Sequence, residues 1–150
     1  MKVDIRMEPG FGDPALRAAI RNAAQAAFKA GRAPKDAALA VLVTGDEAVR
    51  KLNAEFLGHD APTDVLAFPA GTPPIGDSDG YLGDVVISLE TARRQAEAGG
   101  HALADEVQLL SVHGILHLLG HDHAEPGEKA AMWSVQAKAL AGLGNPLSPP

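Results

Sequence analysis

Apolar and polar residues alternate over Val3 to Met7, which predicts a short strand. Asp13-Pro14 then opens a helix, an acceptor side chain at the N-cap followed by a proline at the first helical position. That helix runs through an alanine-rich stretch to about Ala30 and stops at Gly31. Ala37 to Val43 is a continuous apolar run of strand length, and Thr44-Gly-Asp-Glu47 has the S/T-x-x-E pattern of a capping box, starting a helix that reaches about Phe56. Val65 to Phe68 and Asp84 to Ser88, rich in branched and aromatic residues, predict two more strands. The glycine- and proline-rich Ala70 to Gly80 between them predicts a mobile loop bordering a substrate cleft. Ser88 or a neighbour caps a short helix to about Gly99. A long, apolar helix follows from about Ala102, and Pro126 begins a last one, through Trp133 to about Ala141.

The order β-α-β-α-β-β-α-α-α predicts an α+β (α/β-like) fold: one domain, with a small mixed four-stranded sheet covered by helices. Strands joined through a helix should be parallel, and the short link between the third and fourth favours an antiparallel pair. Residues 1–143 form the domain and 144–150 read as a flexible tail. No internal repeat or linker interrupts them.

Composition sharpens this picture in three respects. At 150 residues the chain has room for one sizeable core and not for two ordinary domains. It contains no cysteine, so neither disulfides nor thiolate ligands contribute. Its first residues lack an apolar signal core and no run approaches eighteen apolar residues, so a cytoplasmic protein away from membranes is expected. The net charge of −6 opposes bulk electrostatic binding of nucleic acid, although basic residues cluster at Arg17, Arg21, Lys29, Arg32 and Lys35, at Arg50 and Lys51, and at Arg93 and Arg94. A solvated helix face explains each cluster at least as well.

The chemistry concentrates in His113-Gly-Ile-Leu-His117-Leu-Leu-Gly120-His-Asp-His123. Residues four apart share a helix face, so His113 and His117 can point at one ion. Gly120 permits the left-handed turn that ends the helix and returns His123 to the same coordination sphere. His121 is a rival third ligand. On a continuing helix it would lie roughly 12 Å from His113, too far for both to reach an ion bound at about 2.1 Å per nitrogen. Three imidazoles and an open position make a catalytic zinc site, one ion per chain, on a helix otherwise apolar nearly all round. Gly114 stands where H-E-x-x-H peptidases carry their general base, which disfavours peptidase chemistry. A Lewis acid that lowers the pKa of a bound water still serves phosphodiester hydrolysis.

This segment resembles the signature of the YbeY family of bacterial metal-dependent endoribonucleases. Two further blocks agree with it: Leu52-Asn-Ala-Glu-Phe-Leu-Gly-His-Asp-Ala-Pro-Thr63-Asp64-Val-Leu-Ala-Phe68-Pro69, and Leu82-Gly83-Asp84-Val-Val-Ile-Ser88. The resemblance implies a mixed sheet with a buried central helix carrying the first two histidines. It also implies single-strand-specific cleavage of RNA in ribosomal RNA maturation, including the 3′ end of the small-subunit RNA, and in ribosome quality control. Its partners would be ribosomal RNA, ribosomal particles and ribosome-associated proteins, without DNA. The chain departs from the family at Leu57, where an arginine is usual, at His59 (lysine), at Ala67 (serine) and at His121 (tyrosine).

Asp84 and Asp122 are the candidate catalytic carboxylates, the first by family analogy at a strand near the cleft, the second by its place between two histidines. A turn role competes at Asp84, and at Thr63 and Asp64, which could instead contact substrate. Trp133 and Phe28 read as core residues. Two other functions are compatible with the pattern: a ribosome-associated assembly factor whose zinc is structural, and a zinc hydrolase of small substrates.

Overall fold

The computed structural model describes residues 1–76 and 79–147. Its elements are β1 (Lys2–Met7), α1 (Pro14–Ala30), β2 (Ala38–Thr44), α2 (Asp46–Leu57), β3 (Val65–Pro69), β4 (Tyr81–Ser88), α3 (Leu89–Gly99), α4 (Leu103–Leu118) and α5 (Pro126–Gly142). The strands form one sheet in the order β1-β2-β4-β3. β1 and β4 each run parallel to β2, and β3 is antiparallel to β4 with Leu66 opposite Val86. The mixed sheet and the α+β class predicted from element order are therefore present.

Period-two alternation sorts the side chains between two faces. Val3, Ile5, Leu39, Val41, Val43, Val85 and Ile87 meet the buried sides of α1, α3, α4 and α5. Val86, Leu66 and Phe68 point the other way and pack under α2 with Val49, Leu52 and Phe56. The helix α4 touches α1, α3, α5, β3 and β4, and so occupies the centre of the domain. Ile115 and Leu116 are fully buried, each contributing about 1.5–3 kcal/mol by leaving water. Gly114 is what lets this helix lie flat on the sheet, because a Cβ there would sit 2.7 Å from Val85 Cγ1 and 3.2 Å from Val65 Cγ2. The position that in H-E-x-x-H enzymes carries a glutamate has no room here for any side chain.

Local signals placed most boundaries, and tertiary contacts moved three. Thr44 is not the cap of α2 but the buried last residue of β2. The N-cap is Gly45, and the first free amide, Asp46 N, is satisfied from α3 by Glu90 Oε1 at 2.9 Å. A side chain at position 45 would collide with the Phe11 ring at 2.7 Å. β4 begins at Tyr81, three residues before the expected start at Asp84, because pairing with β2 and β3 extends it. The segment read as a tail is docked through residue 147: Asn145 is 6% exposed and donates to Asp105 O at 3.0 Å. Residues 148–150 lie outside the described residues, as do 77 and 78 of the glycine- and proline-rich loop. The described part of that loop is folded on itself, Ile75 N donating to Thr72 O at 2.8 Å, with Ile75 packed against the α2 cluster.

Candidate metal centre

α4 ends where the sequence requires. Gly120 has φ +97°, its N–H donates to His117 O at 3.0 Å, and His121 N donates to Leu116 O at 3.0 Å. These paired bonds are a Schellman ending, which satisfies the last carbonyls and turns the chain back. The turn returns His123 to the face that carries His113 and His117. Ring centroids lie 4.7 Å apart for His113 and His117, 5.5 Å for His113 and His123, and 5.2 Å for His117 and His123.

Each ring offers one nitrogen, and the three lie within 4.8 Å of one another. His113 Nε2 and His117 Nε2 face each other at 3.2 Å. Two nitrogens held at about 2.0–2.1 Å from a tetrahedral ion are roughly 3.4 Å apart, so this pair is already spaced for one ion. The donor set therefore fits a metal. His121 lines the same cleft but stands outside the cluster.

The orientation of His113 comes from a residue that sequence reasoning missed. Gln136, on α5 and fully buried, places Oε1 3.0 Å from His113 Nδ1. A proton on Nδ1 donated to that oxygen leaves Nε2 with its lone pair toward the cluster, the usual way in which a metal-binding imidazole is fixed. Trp133, one turn earlier on α5, walls the cluster, its ring 6.0 Å from His113 and 5.6 Å from His123. The sequence reads it as core, and it does pack against the main core while also forming the edge of the site. The spacing of Trp133 and Gln136 along one helix was visible in the sequence, but their partner helix was not. Gln136→Leu should weaken metal binding about ten- to a hundredfold with the fold intact, measured by competition with a chromophoric chelator.

The histidines open on a cleft of about 560 Å³ lined also by Leu57, Thr63, Asp64, Ala67 and Asp122. Asp122 is at the mouth, accepting from its neighbour His123 N at 2.7 Å. Asp64 performs the turn role by accepting from Val65 N at 2.8 Å, and faces the cleft as well. Asp84 does not enter. It alternates with Val85, so it sits on the sheet face away from α4, hydrogen-bonded to Tyr81 and beside Asp4 and Arg6. The expected position near the cleft is corrected: one residue of strand register moves a side chain to the opposite face. Among the described residues the lining contains no lysine or arginine and stops at Pro69, short of the 70–80 loop. Leu57, 48% exposed, stands at the rim.

Burial is the foremost cause that lowers the pKa of His113 and His117 below the ordinary 6.5, and the neighbouring imidazoles reinforce it. Gln136 and Asp64 at His113, and Asp122 at His117, pull the other way without reversing the sign. As pH falls below about 6.5 the unfolded chain takes up protons that the folded rings resist, so metal-free protein loses stability through that window until the folded values are reached. Above it these groups contribute nothing. The urea midpoint of chelated protein should therefore drop between about pH 7 and pH 5.5, and less so with His113→Leu.

Comparison with known proteins agrees with this geometry. The family model described as Endoribonuclease YbeY matches residues 6–144. The chain is 42% identical over 147 residues to Endoribonuclease YbeY of Thermobifida fusca, covering 95% of this chain and 94% of that protein. It is 44% identical over 115 residues to Endoribonuclease YbeY of Salinispora tropica, covering 70% and 73%. The solution structure of TM1509 from Thermotoga maritima shares the fold, with a TM-score of 0.60 at 23% identity over 96% of this chain and 93% of that one.

Proposed function

Since the chain belongs to the YbeY endoribonuclease family, a family of hydrolases acting on RNA, we propose that it is a zinc-dependent, single-strand-specific endoribonuclease of ribosomal RNA maturation. The observation that carries this reading is the histidine cluster with its open side on a cleft. His113, His117 and His123 would hold one zinc ion. Bound there, zinc supplies Lewis acidity at the scissile phosphate and lowers the pKa of water toward neutrality.

The chain's own residues do the rest. Gln136 fixes the tautomer of His113, and Trp133 and the apolar face of α4 keep bulk water from the inner side of the rings. Asp122 and Asp64 are the carboxylates in the cleft able to accept a proton from the attacking group. Of these Asp122 is the nearer in sequence to a ligand and is the preferred acceptor; Asp84 is not proposed for this role. Ribosomal RNA and ribosomal particles are the proposed partners and the cytoplasm the proposed location. No described helix is long and apolar enough to cross a membrane.

Metal analysis of untagged protein, followed by cleavage of unstructured RNA with and without chelator, tests the reading. It expects one zinc per chain and chelator-sensitive cleavage. Full zinc occupancy with no cleavage, alone or with ribosomes, would give way to an assembly factor with a structural zinc. That alternative draws on the acidic charge of −6 and on the absence of lysine and arginine from the cleft lining among the described residues.

Leu57 makes the RNA contact testable. Arg50, a basic candidate on the same helix to substitute for it, is already engaged by Glu47 at 2.8 Å and Asp60 at 2.5 Å. Free RNA should bind weakly with a shallow salt dependence. Leu57→Arg should tighten binding and steepen the salt slope by about one unit. A neutral result in both measures would mean that no phosphate passes this rim.

A further inference from the structure

A second cavity, of about 310 Å³, adjoins the metal cleft, and Asp64, Val65 and His113 belong to the walls of both. Its size is at the lower end for a small-ligand pocket. Leu109 and Leu110 of α4 add apolar walls, and Gln95 of α3 stands at the exposed rim. The deeper polar groups are paired with each other: Glu106, 5% exposed, is hydrogen-bonded to His101 at 2.7 Å.

Gln136 is the group that is not matched. With His113 donating from Nδ1 to its Oε1, the Gln136 amide nitrogen must point away from that ring, and it finds no partner among the described residues although the side chain is fully buried. A buried amide donor without a protein acceptor is a rare feature, one that a water or a ligand oxygen or nitrogen satisfies. Around it are apolar side chains, suited to the faces of a flat ring, and the Asp64 carboxylate, suited to a ring N–H. This combination of apolar faces and an edge of donor and acceptor is how unstacked bases of single strands are held.

We propose that this cavity receives one unstacked nucleobase, bearing a ring carbonyl that accepts from Gln136, of the RNA strand whose backbone lies in the metal cleft. The proposal rests on the endoribonuclease reading above and adds a base-binding subsite to it. Because His113 belongs to both walls, a base seated here draws its own phosphate toward the histidine cluster, which couples strand selection to position at the metal.

The test uses the full chain loaded with zinc, titrated with uridine 5′-monophosphate and, as a control without a base, ribose 5-phosphate. Amide signals of Leu109 and Gln95 and the Gln136 side-chain amide are followed by NMR. Uridine monophosphate should shift them and ribose phosphate should not, and Leu109→Trp, which fills the cavity, should remove the response. Should that variant fail to fold, Gln95→Trp at the exposed rim serves the same purpose. Equal responses to both compounds, or an undiminished response in the folded tryptophan variant, would overturn the proposal.

A second arm measures cleavage of oligonucleotides carrying an abasic nucleotide at successive positions. One position should raise KM about tenfold in the wild type and have little effect in Leu109→Trp. RNA cut equally well at every abasic position, together with no uridine-specific shift, leaves the nuclease standing and removes the base site. No cleavage together with the uridine-specific shift removes the nuclease and leaves the base site.

Discussion

His117→Ala should remove metal binding and RNA cleavage together, with cleavage reduced by on the order of a hundredfold or more. Residues one step removed from a metal already cost about ten- to a hundredfold when changed, and His117 is in direct reach of the ion position, its Nε2 3.2 Å from that of His113. Metal content after dialysis and initial cleavage rates, taken on the same preparation, check the result. His121→Ala is the informative control, because that ring lines the cleft without joining the cluster and its loss should leave both measures near wild type. The ligand assignment fails if His121→Ala loses the metal while His123→Ala retains it.

Chelation should lower the thermal midpoint by roughly ten degrees. A ligand at about a thousand times its dissociation constant stabilises the native state by about 4 kcal/mol, and a domain of this length moves by about 2–4 °C per kcal/mol. The structure explains why the effect is global rather than local. His113 and His117 belong to the central helix, and His123 follows the Schellman turn, so an ion ties the segment after Gly120 to the core of the domain. Without it, neutral imidazole nitrogens face each other across 3.2 Å with no shared proton donor beyond their own tautomers. Differential scanning calorimetry with and without chelator measures the shift. An unchanged midpoint would mean that the three rings do not share an ion.

These two predictions rest on different kinds of knowledge. The clustering of the three histidines was legible in the sequence because it depends on local geometry. A spacing of four places two side chains on one helix face, and a glycine two residues after the helix permits the positive φ that brings back a third. Strand identity was equally legible, since runs such as Ala38–Thr44 and Val65–Pro69 are short, apolar and branched.

What surrounds the ligands was not legible. Gln136 lies 23 residues from the His113 it orients, Asp46 N is capped by Glu90 from 44 residues away, and Asn145 docks on Asp105 across 40 residues. In each case the sequence shows a polar residue on a helix or in a terminal segment, where solvent is the ordinary expectation. Asp84 shows the same limit in another form: Gly83-Asp84 reads as turn chemistry, yet strand pairing absorbs it and alternation sends the carboxylate to the face away from α4.

The sequence by itself thus determined the helices and strands, the mixed character of the sheet and the three histidines, because backbone sterics and helical period act over a few residues. Only the tertiary structure decided which helix lies at the centre, which glutamine fixes His113, which carboxylates share the cleft and that a second cavity adjoins it. Those outcomes depend on how apolar faces of separate elements close-pack, as where Gly114 admits the Val85 and Val65 side chains, and close packing is a property of the assembled faces that no single segment encodes.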